Sequence, residues 1–364
     1  MSARRPPTPD RTPRPRRARR LGGVVALGLG ATLIAACGGG SSDSAEGGSA
    51  GGVDEITFLN VLPIESLSFA PELVADTCGQ FKDQNLDVTF ELTQGSAPGI
   101  QTIIAGSAEI TRVGDIETII AAGDKGAPIV NVGTATHRGP IRMVSSTRAP
   151  IRSAEDFRGK LVGVPSEGGT SEITLDLILG SAGIAPEDVD RQVVGLTPAV
   201  FDLVQSDRID AYVVSLDTAV ALAQQEKDAV IFDPSDAIRS GAQNYMTSQE
   251  QAEDPETSDE IKRYLAAIDS AIEFIINDEK NGFAKTMECI SSEYDVPTLA
   301  DKQVARAALS GYVDSWVANG PDSILRTDPA QWQTTYEEMV AGGLVDEGMN
   351  PDDWYTNDLA PSSQ

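Results

Sequence analysis

The residues able to do chemistry are few and lie far apart. The chain holds one histidine, His137, and three cysteines, Cys37, Cys78 and Cys289. A Ser–His–Asp arrangement would have to use His137, and no serine stands in a Gly-x-Ser-x-Gly setting. No His/Cys cluster has metal-ligand spacing, so neither a metal nor a cofactor is expected. Acid pairs such as Asp352-Asp353 read as solvated charge, and no enzyme is expected. Ligand binding is better provided for. In Pro165-Ser166-Glu167-Gly168-Gly169-Thr170-Ser171 the glycines let backbone N–H groups turn inward, and a following helix N-terminus would add partial positive charge. Such a turn suits an anion or a carbonyl, with the hydroxyls of Ser166, Thr170 and Ser171 and the backbone of Gly169 as candidate contacts. It lacks the lysine of a nucleotide-binding loop. Plain capping of the helix by Thr170 is the other reading. His137 and Arg138, in Gly133-Thr134-Ala135-Thr136-His137-Arg138-Gly139, offer a cation that could neutralise an anion inside an acidic protein. The alternative is a solvated surface.

These side chains need a framework, and the apolar pattern supplies one. From Glu55 it switches repeatedly between short β-rich runs and helical periods, which argues for βαβ units and a largely parallel sheet. Strands are expected at 55–61, 86–92, 110–113, 129–133, 141–145, 161–164, 189–194, 211–214 and 229–232. Helices are expected at 71–78, 98–105, 115–122, 170–182, 198–204 and 217–226. The last third reads as helical: Ser258 is taken as an N-cap, with Ile261, Tyr264, Leu265, Ile268, Ala271, Ile272 and Ile275 following on one face. Residues 100–122 and 201–223 form a weak repeat of helix, turn, acid and strand, each ending where Asp115 or Asp217 opens another helix. Generic α/β patterning would also produce it. Two similar halves presenting strand ends to each other would frame a cleft.

Charge and the N-terminus restrict the setting. There are 28 Lys+Arg against 55 Asp+Glu, a net −27. Eight of the bases lie within residues 1–20, so the body is more acidic still, and nucleic-acid binding is excluded. Residues 21–36 are uncharged but too short and glycine-rich for a comfortable membrane span. Leu33-Ile34-Ala35-Ala36-Cys37-Gly38 resembles the lipobox of bacterial lipoproteins, which implies a signal peptide over 1–36 and acylation of Cys37. A signal-anchor helix is the competing reading. Residues 37–53, mostly Gly, Ser and Ala, read as a flexible tether. Outside the cytoplasm Cys78 and Cys289 are then the remaining pair, and a disulfide between them is expected by counting. Two unpaired buried thiols are the alternative.

Several runs resemble one family. They are Ala75-Asp76-Thr77-Cys78-Gly79-Gln80-Phe81, Asn85-Leu86-Asp87-Val88, Ile104-Ala105-Gly106-Ser107-Ala108-Glu109, Gly123-Asp124-Lys125-Gly126-Ala127-Pro128-Ile129, and Asp156-Phe157-Arg158-Gly159-Lys160-Leu161-Val162-Gly163-Val164. Their number and order, from about Glu55 to Asp358, resemble the solute-binding proteins of ABC importers in the nitrate, sulfonate, taurine and thiamine-pyrimidine-precursor group. The resemblance implies a type II periplasmic-binding-protein fold: two α/β lobes, a central cleft and two hinge crossings. Lobe 1 would comprise 54–136 and 243–364, and lobe 2 would comprise 137–242. It implies a monomeric receptor, lipid-anchored on the outer face of the cell membrane, that passes a small polar or anionic solute to a permease and its ATPase. A ligand-sensing lipoprotein signalling to a membrane sensor, or a hydrolase on the same fold, are the alternatives. The chain departs from the pattern at Glu109, where the family often has Asp, and at Leu216-Asp217, where it often has Glu-Pro. No aromatic cluster marks the expected cleft, so a stacked pyrimidine is less supported. By position in the family, the loop after the first strand offers Ser66 and Ser68, and the turn Gly114-Asp115 is a cap or a ligand acceptor. Asp217, Thr218 and Tyr245 are second-lobe and return-crossing candidates, with core packing the alternative for Tyr245. Trp316, Trp332 and Trp354 are read as packing.

Overall fold

The structure, a computed structural model, describes residues 52–93, 95–165 and 169–362. The expected signal peptide, Cys37 and Ser166 lie outside the described residues. Strand β1 (Asp54–Asn60) leads to α1 (Ala70–Thr77), α2 (Gln80–Asp83), β2 (Leu86–Leu92) and α3 (Ser96–Ile104). Then come β3 (Ile110–Gly114), α4 (Asp115–Ile119) and β4 (Ile129–Thr136). The chain crosses to β5 (Ile141–Ser146), β6 (Leu161–Val164), α5 (Thr170–Ser181), β7 (Asp190–Val193) and α6 (Phe201–Gln205). It continues through β8 (Ala211–Ser215), α7 (Leu216–Gln225) and β9 (Ala229–Phe232), then returns as β10 (Gln243–Ser248). Helices α8 (Gln249–Glu253), α9 (Pro255–Asp278), α10 (Ala284–Ser291), α11 (Lys302–Trp316) and α12 (Pro329–Ala341) finish it.

Among the described residues ten strands form two sheets, ordered β2-β1-β3-β10-β4 and β7-β6-β8-β5-β9. Neither is largely parallel. β10 lies antiparallel between β3 and β4, and β5 antiparallel between β8 and β9. The reason is the path: each of these strands arrives from the opposite half and so enters its sheet against the local direction. β10 is the strand that sequence reading missed. Its apolar alternation is diluted by Gln243, Asn244 and Thr247, and shifts in its register against β4 break the period.

Three apolar clusters hold the layers. One packs the first sheet against α1, α9 and α11, through Phe58, Leu73, Tyr264, Ile268 and Trp316. The expected stripe of α9 is buried there from Ile261 to Ile275. The cap of α9, however, is Asp254, whose side chain accepts from Thr257 N, with Pro255 opening the first turn. Ser258 instead bonds back to Pro255 O. A second cluster runs from Leu59 and Ile116 beside the first sheet, through Trp332 and Met339 of α12, to Leu175 and Val162 beside the second. The third covers the far face of the second sheet with Phe201, Tyr212 and Leu222. The helix expected over 115–122 ends at Ile119 and opens into a wide π turn over Ile120–Asp124. There the Trp354 ring packs so tightly that a side chain at Gly123 would come within 2.8 Å of it. Cys78 and Cys289, 211 residues apart, are joined by a disulfide with Cα atoms 5.7 Å apart.

Candidate functional site

The two stretches of chain linking the sheets run side by side. A Cβ on Gly139 in the first would lie 2.8 Å from Gly241 O in the second, and Gly241 has φ +108°. Only glycines allow this approach. Asp115, at the start of α4, ties the return stretch down. Its carboxylate accepts from Gly241 N at 3.0 Å, Ala242 N at 3.2 Å and Thr335 Oγ1 of α12 at 3.3 Å. Burial pushes Asp115 up to about 7, against the backbone N–H groups of Ile116, Gly241 and Ala242, which favour its charge. Its role here is to clamp the crossing.

Beside the crossings lies a cavity of about 800 Å³, lined by both of them and by both halves. His137, Arg138 and Gly139 come from the first crossing, Asp233 to Gly241 from the second, Thr174 from α5, and Asn319, Asp328, Gln331 and Thr334 from the ends of α11 and α12. The expected His137-Arg138 pair therefore does face a cavity, but only one member carries charge. His137 is 4% exposed. Its Nε2 is 2.9 Å from Ser323 O and its Nδ1 3.3 Å from the Asn319 amide nitrogen, so Nε2–H donates and Nδ1 accepts. Burial lowers its pKa and keeps the ring neutral. Arg138 is exposed at the cavity. Among the described residues, the guanidinium groups of Arg138 and Arg239 make no ion pair, whereas Asp233 is paired with Arg142 at 3.0 Å. The hydroxyl of Thr174, itself 2% exposed, has no hydrogen-bond partner among the described residues.

The halves also touch directly. Gly311 of α11 meets Leu216 of α7, 2.9 Å from where a Cβ would stand. Asp217 is 5% exposed and accepts from Thr298 Oγ1 at 2.9 Å and Tyr312 OH at 3.4 Å, a partnership with the opposite half. Thr218 accepts from Ser215 Oγ at 3.1 Å. Near the other edge Thr170 Oγ1, on the first residue of α5, donates to Glu117 of α4, and Ser96 Oγ donates to the same carboxylate oxygen at 2.9 Å. Gly169 is the N-cap of α5 and Ser171 is half-buried beside Thr170. Gly114 precedes α4 as its N-cap, and any side chain there would collide with Glu117.

The remaining candidates belong to a buried network. Ser66 caps the 3₁₀ turn Leu67–Phe69 by accepting from Ser68 N at 3.2 Å. Ser68 Oγ accepts from Arg112 Nη2 at 2.6 Å. Arg112, 2% exposed, pairs with fully buried Glu72 at 3.0 Å and lies 4.3 Å over the Phe69 ring. Burial opposes its charge, but the carboxylate of Glu72 prevails and raises its pKa. Tyr245 is 1% exposed and donates to Glu72 at 2.7 Å, so it takes its core reading. Sequence reading passed over Arg112 and Glu117. A lone arginine inside the apolar run 110–113 was the available signal for the first. Nothing marked the second, because its partners come from α3 and α5. Nor did anything in the helical C-terminal third single out Asn319, Gln331 or Thr334. Among the described residues no group of three or more His, Cys, Asp or Glu could hold a metal ion, and no helix is long and apolar enough to cross a membrane.

Comparison with known proteins agrees with this architecture. A family model described as NMT1/THI5 like matches residues 66–281. The riboflavin-binding protein RibY of Chloroflexus aurantiacus is 23% identical over 306 residues, which are 82% of this chain and 84% of that protein. The periplasmic aliphatic sulphonate binding protein SsuA from Escherichia coli superposes with a TM-score of 0.62 at 16% identity, covering 83% of this chain and 97% of the other. The desulfurization enzyme DSZB does so with 0.55 at 15% identity, over 84% and 97%. These structures share the two-sheet periplasmic-binding-protein fold, and a shared fold does not by itself fix chemistry.

Proposed function

From the premise that this chain belongs to the NMT1/THI5-like family, we propose that it is the extracytoplasmic solute-binding component of an ABC importer. It is held to the membrane through acylated Cys37 and hands its solute to a permease with its ATPase. The observation that carries this reading is the cavity of about 800 Å³ bounded by both crossings and both halves. A site so placed changes shape when the halves move. A solute that bridges them binds the closed arrangement better than the open one, and that difference in affinity is what drives closure.

The lining suggests the class of solute. A water takes up about 30 Å³ of liquid, and ligand pockets run from about 300 to 1,000 Å³, so the space suits an organic molecule better than a single four- or five-atom anion. Its lining carries Arg138 and Arg239 as well as Asp236 and Asp328, together with the neutral ring of His137 and the amides of Asn319 and Gln331. We take the solute to be a polar organic molecule rich in hydrogen-bonding groups, with at most one acidic group set against Arg138. Native mass spectrometry of the mature protein as purified should reveal such a molecule. Its removal should expand the protein in solution scattering, and its return should compact it. Arg138→Ala should weaken binding about tenfold, as loss of one charge-assisted hydrogen bond would. A scattering profile indifferent to every solute tried, with no bound molecule found, would defeat the proposal.

A further inference from the structure

Helices α3 and α5, of nine and twelve residues, both begin behind a glycine, Gly95 and Gly169, and neither has a side-chain cap. An uncapped helix N-terminus favours a negative charge beside it. Here the first side-chain hydroxyl of each helix meets one carboxylate. Glu117 accepts the hydroxyl of Ser96, first residue of α3, and the hydroxyl of Thr170, first residue of α5 in the opposite half. It is 7% exposed, and its second oxygen, Oε2, is buried with no hydrogen-bond partner among the described residues. Gly114 leaves the room it needs. A Cβ there would strike Oε2 and stand 3.1 Å from Thr170 Cγ2.

We infer that Glu117 is a built-in counter-anion and a determinant of solute specificity. Its carboxylate fills the oxyanion position at the start of α5 as the halves come together, so sulfate- and sulfonate-like ions are turned away. The solutes admitted are those that leave this position to the protein. A second negative charge beside Glu117 would be repelled in a water-poor space, where Asp115 already lies close enough for Glu117 to act on its proton affinity. The titratable group on which Glu117 acts is Asp115 of its own helix, whereas Glu172 of α5 is paired with Arg191 at 3.3 Å. Among the described residues no arginine or lysine is ion-paired with Glu117. This inference rests on the solute-binding reading above and narrows it: the ligand is not a small oxyanion.

The test uses the mature chain and inorganic sulfate as the probe, by titration calorimetry and thermal melting against sodium chloride of equal ionic strength. Glu117→Ala and Glu117→Ser both vacate the position, and melting in chloride establishes that each is folded. The wild type should show no sulfate-specific rise in melting temperature. Either folded variant should bind sulfate saturably and at least tenfold more tightly than the wild type, and adding Thr170→Ala should abolish that gain. Wild-type affinity for sulfate within threefold of the variants, or no sulfate binding by a folded variant, overturns the inference. No transported solute enters these readouts. A negative result therefore leaves the importer reading standing, and failure to find a transported solute leaves the sulfate result intact.

Discussion

Titration of Asp115 should make the whole fold less stable as pH rises toward neutrality. An unperturbed aspartate ionises near pH 3.9, whereas burial pushes Asp115 up to about 7 in the folded protein. Between those values the folded state keeps a proton that the unfolded chain has released. The stability this confers is complete below about pH 4, falls through the window from about 4 to 7, and is gone above about 7. Each pH unit inside the window changes stability by about 1.4 kcal/mol, so going from pH 5 to pH 8 should cost about 2–3 kcal/mol through this group alone. Because Asp115 is 1% exposed, solvent screening does little to reduce the figure. Asp269, pushed up to about 6 by partial burial, acts in the same direction, so a single pH series is not enough. Urea unfolding of wild type and Asp115→Asn at half-unit steps from pH 5 to 8 isolates the contribution. The asparagine loses one acceptor for the Gly241 and Ala242 N–H groups and starts out weaker, but its curve should be flatter by about 2–3 kcal/mol. Parallel curves, within about 0.5 kcal/mol across the range, would refute the assignment of the proton to this carboxylate.

The Arg112–Glu72 pair should respond asymmetrically to mutation. Arg112→Met alone strands a fully buried carboxylate and should cost about 3–5 kcal/mol in urea unfolding, while Arg112→Met with Glu72→Leu should recover most of it. Equal losses in the single and double variants would contradict the account. Reducing Cys78–Cys289, which closes a loop spanning 211 residues, should lower stability by about 2–4 kcal/mol, visible as a fall in melting temperature on adding dithiothreitol. An unchanged melting curve after complete reduction would show that the bridge contributes nothing.

The periodic parts of the fold were legible and the parts made by long-range return were not. Strands β2, β6 and β9 fall where the apolar runs place them, and the α9 stripe is buried from Ile261 to Ile275. β10 escaped because its stability comes from two neighbours, β3 and β4, and not from its own alternation. The same distinction governs the candidate site. His137 and Arg138 were found from charge, and both face the cavity. That His137 is neutral follows from Ser323 and Asn319, nearly two hundred residues away, which no local pattern announces. Asp115 and Asp217 were singled out as helix-opening acids, and both are buried, but each is bonded to distant segments of its own chain. The turn before Thr170 was read as an anion cradle. The hydroxyl of Thr170 meets the protein's own carboxylate, Glu117, whose partners Ser96 and Thr170 lie 21 and 53 residues away.

The place of β10 between β3 and β4 has a consequence for how the chain is made. The second sheet is contiguous from residue 141 to 232 and can assemble as soon as that stretch emerges. The first cannot close its ladder until residue 248 has arrived, because until then β3 lacks its second neighbour and β4 has no strand partner. The earliest part of the chain to appear is therefore among the last to be finished. During that interval its exposed edges are the stretch most in need of an attendant that keeps neighbouring chains apart.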